Sequence, residues 1–81
     1  MKEFNELTST LETYMSVEHL EIVRRACEFA TVAHEHQTRS TGEPYVTHPL
    51  SVAIILAEMS MDLQSILAAV LHDVIEDTKY T

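Results

Sequence analysis

The feature that most constrains this chain is how little interrupts it: 81 residues hold one glycine and two prolines, and all three, Gly42, Pro44 and Pro49, lie within eight positions. A chain so short of turn formers elsewhere has few places to reverse. On both sides of that stretch the apolar residues recur at spacings of three and four, the period of an amphipathic helix. The predicted fold class is therefore all-α, with about four helices. At this length the chain is one domain or a piece of one, and it buries only about 60% of its unfolded surface, so its core is marginal.

Taken in order, Phe4, Leu7, Leu11, Tyr14 and Met15 predict a short packing helix over residues 3–15. Ser16 is a good N-cap for a second helix from Val17 to about Gln37, with Glu18 and Glu21 in its first turns as the dipole prefers. Its stripe is Leu20, Val23, Cys27, Ala30 and Ala33, and Ile22, Ala26 and Phe29 widen it, so burial on more than one side is expected. The period breaks over TRSTGEPYVTH, residues 38–48, which reads as a structured loop turned by Gly42, with Tyr45 as an anchor. Thr47 or His48 then caps a third helix that opens with Pro49 and runs through Leu50, Val52, Ala53, Ile55, Leu56 and Met59. A break at residues 60–62 follows, and Asp62 caps the last helix.

That last helix, ILAAVLHDVIEDT over Ile66 to Thr78, carries the chemistry. Residues four apart share a helix face, so His72 lies over Glu76 and Asp73 over Asp77. Imidazole with carboxylate suits a borderline ion such as manganese, iron or zinc. Carboxylates outside the coordination sphere could hold or deprotonate a water. The competing reading is a solvated acidic helix end. Against it, a buried apolar run leads straight into these groups, and three acids at a C-terminus oppose the helix dipole, a conflict a bound cation resolves.

Thirteen acidic against five basic residues give a formal charge of −8, which disfavours nonspecific nucleic-acid binding and anionic membranes. The single Cys27 excludes an internal disulfide and fits a reducing compartment. No apolar run approaches a membrane span of roughly 20 residues, and MKEFNELTST lacks a signal-peptide core, so a soluble cytoplasmic protein is expected. Among the other polar residues, His19 reads as solvent-exposed on a first turn, and His34 and His36 as dipole-favoured residues near a helix end. His48, held between a rigid loop and a helix start, can approach a site at the end of a neighbouring helix. Arg39 can stack on a base or fork onto phosphate, or balance Glu35 or Glu43.

The run AHEHQTRSTGEPYVTHPLSVAIILAEMSMD followed by ILAAVLHDVIEDT closely resembles the hydrolase domain of the RelA/SpoT family, the enzymes that make and degrade the alarmone (p)ppGpp, and is most like its SpoT-type members. The likeness runs from Ala26 to Thr81. It implies an all-helical HD-type fold in which His48, His72 and Asp73 coordinate a manganese ion, with a fourth ligand, an aspartate, well downstream. Glu76 and Asp77 match the pair that positions or activates the attacking water. Arg39, Ser40 and Thr41 match the loop that holds the guanine nucleotide, Thr41 standing where the family often has serine. By this likeness His34 is a family-pattern residue without an assigned ligand role, and the match gives it more weight than the dipole reading alone. Members that only synthesise the alarmone tend to lose the histidine and HD ligands, which this sequence keeps.

The implied reaction is removal of the 3′-pyrophosphate from ppGpp or pppGpp to give GDP or GTP, in a parent that could also synthesise the alarmone. By this likeness residues 1–81 are the N-terminal part of the hydrolase domain. The expectation is that the downstream aspartate and later helices are missing, that the chain alone has little activity, and that its uncovered helix faces self-associate. The alternatives are an HD phosphohydrolase for another nucleotide and a non-catalytic helical interaction fragment.

Overall fold

The structure, a computed structural model, describes residues 2–77, with Asp73, Ile75, Glu76 and Asp77 described as helix positions without their side chains. Among the described residues four helices follow one another: α1 (Lys2–Leu11), α2 (Val17–Ala33), α3 (Thr47–Glu58) and α4 (Leu63–Asp77). No strand occurs among the described residues; the only extended pairing there is an isolated antiparallel bridge between Thr38 and Pro44.

α3 and α4 form a helical hairpin, against which α1 packs on the α3 side and α2 on the α4 side. Each helix contributes one stripe to the shared core: Leu7 and Leu11, then Val23, Cys27 and Ala30, then Leu50, Ala53 and Ala57, then Ile66, Val70 and Val74. Burying a side chain such as Leu50 or Ile66 contributes roughly 1.5–3 kcal/mol. The alanines Ala30, Ala53, Ala57 and Ala69 are buried at the crossings, where a larger side chain would hold the helices apart.

The caps explain most boundaries. Ser16 is extended and its Oγ accepts from the His19 N–H at 3.2 Å, so α2 starts where the sequence predicts. Asp62 does the same for α4, its Oδ1 accepting from the Ser65 N–H at 3.0 Å. Between α3 and α4, Ser60 takes a positive φ of 56°, and the Met61 carbonyl accepts from the Tyr14 hydroxyl at 2.7 Å, which ties the chain after α1 to this turn.

Four expectations are corrected. α1 ends at Leu11, not near Met15, because Tyr14 and Met15 both donate to the Leu11 carbonyl in a closing turn. α2 ends at Ala33, not near Gln37, because His34 leaves helical geometry as its C-cap and folds into the core. α3 starts at Thr47, two residues before Pro49, with Val46 at the cap position and no side-chain cap. Pro49 is tolerated in that first turn, where its missing N–H has no helical partner to lose. Lastly, α2 is covered along one face, mainly by α4 and more sparsely by α1: Ala26 is buried, but Ile22 is 44% and Phe29 46% exposed.

Candidate functional site

The short turn of residues 59–62 makes α3 and α4 antiparallel neighbours, so the start of α3 lies beside the end of α4. His48 stands ten residues before the end of α3 at Glu58, and Asp73 ten residues after the start of α4 at Leu63. At 1.5 Å per residue both are about 15 Å from the turn, so His48 and the His72–Asp73 pair share one level of the hairpin. Both imidazoles are exposed. His72 Nδ1 is 3.3 Å from the Ala69 carbonyl; the tautomer that donates there makes Nε2 the lone-pair atom, which is the arrangement a metal-ligating histidine uses. His72 also closes one end of a shallow apolar groove of about 420 Å³ along Gln64, Leu67, Ala68 and Leu71. The side chains of Asp73, Glu76 and Asp77 lie outside the described residues, although all three are helix positions of α4. Among the described residues no three His, Cys, Asp or Glu side chains gather as a metal cluster. The donor chemistry, two exposed imidazoles level with an aspartate position, fits a divalent ion.

The second half of the site is the loop between α2 and α3. Its ends are drawn together by Tyr45 N–H donating to the Gln37 carbonyl at 2.9 Å and Arg39 N–H donating to the Glu43 carbonyl at 2.8 Å. Gly42, at φ 92°, closes the tip by donating to the Arg39 carbonyl at 2.8 Å. Arg39, Ser40 and Thr41 are therefore all exposed on one tight turn. The tie between Arg39 and Glu43 is through backbone; the guanidinium has no ion-pair partner among the described residues, so it balances neither Glu35 nor Glu43. Thr47 Oγ1 donates back to the Pro44 carbonyl at 2.9 Å and His48 N–H to the Tyr45 carbonyl at 3.0 Å, which joins this loop to the start of α3. Tyr45 is the anchor the sequence suggests, its ring 4.8 Å from that of His34 and 6.4 Å, edge-on, from that of His48.

His34 is the residue that sequence reasoning placed least well. It is 1% exposed, not a dipole-favoured surface residue, and its Nδ1 is hydrogen-bonded to Gln37 Oε1. The signal available was its spacing of three from Gln37, which in a helix end brings the two side chains together. His36 is exposed, with Nε2 3.5 Å from Glu35, and His19 is exposed as expected.

The class that fold and site define is an all-α domain in which a histidine–aspartate pair on one helix lies level with a histidine at the start of the preceding helix. The chain belongs to the HD domain family, which it matches over residues 26–81. Hydrolases of this family are generally metal-dependent. The chain is 51% identical over 78 residues to the bifunctional (p)ppGpp synthase/hydrolase SpoT of Escherichia coli K12, covering 96% of this chain and 11% of that protein. It is 49% identical over 78 residues, with the same coverage, to the guanosine-3′,5′-bis(diphosphate) 3′-pyrophosphohydrolase of Vibrio cholerae. To the Aquifex aeolicus protein of that name it is 55% identical over 64 residues, covering 79% of this chain and 9% of the relative. It thus spans about a tenth of the length of the curated relatives it matches. No helix among the described residues is long and apolar enough to cross a membrane.

Proposed function

We propose that this chain carries part of the metal and nucleotide site of a guanosine-3′,5′-bis(diphosphate) 3′-pyrophosphohydrolase acting in the cytoplasm in the stringent response. The observation that carries the reading is near 50% identity, across almost the whole chain, to relatives bearing that name. Several relatives are named as synthases or pyrophosphokinases, so the parent activity includes alarmone synthesis in this reading. His48, His72 and Asp73 hold the ion, taken as manganese, with a further aspartate ligand from beyond these residues. When bound, that ion supplies a Lewis acid that polarises the phosphoryl group and acidifies a water. Glu76 and Asp77 would orient a water and take its proton as its oxygen attacks the phosphorus joined to the ribose 3′ oxygen. The bond between that phosphorus and the ribose 3′ oxygen breaks, the 3′ oxygen takes up a proton, and pyrophosphate and GDP or GTP are released. Arg39, with Ser40 and Thr41 beside it, receives the guanine nucleotide by stacking or by charge-assisted hydrogen bonds. With a net charge of −8, local cations of this kind and the ion must do the attracting, and nucleic acid is no partner.

The test is calorimetric titration of the chain with Mn²⁺ and then with ppGpp, beside a His72→Ala variant and with ATP as competitor. Binding of Mn²⁺ that His72→Ala abolishes, followed by ppGpp binding that ATP does not displace, is the expected result. Absence of Mn²⁺ binding by the unsubstituted chain refutes a usable site within these residues and makes the further aspartate indispensable, and equal displacement by ATP favours an HD phosphohydrolase of another nucleotide.

A further inference from the structure

A buried histidine with nothing to do is an expensive residue. His34 is 1% exposed, and among the described residues its Nε2 has no hydrogen-bond partner. An apolar ring in the same place would leave no polar atom unsatisfied. What the imidazole provides instead is grip on the loop. Its Nδ1 bonds Gln37 Oε1, while its own carbonyl accepts from the Gln37 N–H at 2.9 Å, so Gln37 is held at both ends. The Gln37 carbonyl in turn accepts from the Tyr45 N–H at 2.9 Å, and the tilted Tyr45 ring rests on the His34 ring at 4.8 Å. Tyr45 then carries the register forward, through its carbonyl to the His48 N–H at 3.0 Å and through the edge contact of the two rings. On the other arm, Gln37 immediately precedes the Thr38–Pro44 bridge that closes the turn presenting Arg39.

We propose that His34 is a positioning residue which, by clamping Gln37 and backing Tyr45, sets both the His48 imidazole and the Arg39 turn from a single point in the core. It touches neither ion nor nucleotide. That His48 and Arg39 are the groups worth setting rests on the function proposed above. The clamp itself does not, and the two parts can be tested separately.

The experiment is nuclear magnetic resonance on the histidine-labelled chain, comparing the unsubstituted protein with His34→Phe, which keeps a packed ring but deletes the bond to Gln37, and His34→Asn, which keeps a polar atom near the Nδ1 position. The expected result for His34→Phe is loss of the Tyr45–His48 ring contacts and lower backbone order over residues 38–48, with helix content unchanged. His34→Asn partly restores both. Where His34→Phe fails to fold, Gln37→Leu removes the same bond from a half-buried position outside the helices and gives the same result. Unchanged ring contacts and loop order in the folded variant overturn the proposal. Mn²⁺ then reads the link to function: paramagnetic broadening of the His48 resonance should require roughly tenfold more metal in His34→Phe. No broadening at His48 in the unsubstituted chain refutes a usable metal site within these residues alone, and the ring contacts still decide whether His34 is the clamp.

Discussion

Arg39 has no ion-pair partner among the described residues, while the arginines of α2 do. Arg24 pairs with Glu21 at 2.6 Å and with Glu28 at 2.7 Å, and Arg25 with Glu21 at 3.2 Å, which holds the Glu21 carboxyl down at about 2. These pairs are on the surface and add little to stability. Arg39→Ala is expected to weaken ppGpp binding roughly tenfold, the loss of a charge-assisted contact of about 1.5 kcal/mol, with the Mn²⁺ affinity unchanged; fluorescence titration of a labelled nucleotide checks this. Cys27 behaves in the opposite sense. At 2% exposure its thiol is pushed up to about 12 by burial, with the Glu28 carboxylate adding to the effect. The folded chain therefore holds this proton more tightly than the unfolded chain, where the usual value is 9.0. The stability it confers is complete below about pH 9 and is lost as the pH rises toward 12. Burial first, and Asp62 second, push the Tyr14 hydroxyl the same way. Urea midpoints measured between about pH 8 and 11 should fall across that window, and Cys27 should resist alkylation at neutral pH in the native state.

At the level of elements, the boundaries readable in the sequence are those set by a neighbouring side chain. Ser16 and Asp62 each sit next to the helix they cap, so their position alone announces the start of α2 and of α4. Asp62→Ala should cost about 1 kcal/mol in a denaturation experiment, and Asp62→Asn far less. The boundaries misjudged between α2 and α3 are those set by the way the loop between them folds back on the helix ends. α2 stops at Ala33 because His34 turns inward toward Gln37 and Tyr45, a decision that no local propensity encodes. α3 begins at Thr47 because Thr47 bonds backward to Pro44 and not forward as a cap. Ile22 and Phe29 fit the apolar pattern of α2 and still face outward, since period alone does not say how many neighbours a helix has. For the site, periodicity stacks His72 over Glu76, but only the hairpin turn brings His48 to the same level.

For the molecule as a whole, the uncovered apolar surface is the dominant property. Val17, Val32, Ile55 and Met59 are exposed, and Phe4, Cys27, Thr31 and Val32 line an open groove of about 750 Å³ between α1 and α2. The chain is expected to self-associate through such faces, with an apparent mass above 9.2 kDa that falls when Val32→Lys is introduced. Light scattering that finds a stable dilute monomer with or without that substitution would sink the idea. The four-residue turn between α3 and α4 also orders events in time. Contacts between elements so near in sequence form early in folding, whereas those spanning the chain wait for loop closure. The contacts that shape the Arg39 turn, His34 with Gln37 and Tyr45 and Gln37 with Tyr45, span three to eleven residues and so form before the hairpin brings His48 and His72, 24 residues apart, to one level. The loop that carries Arg39 is thus shaped locally and early, whereas the two histidines become level only when the hairpin closes.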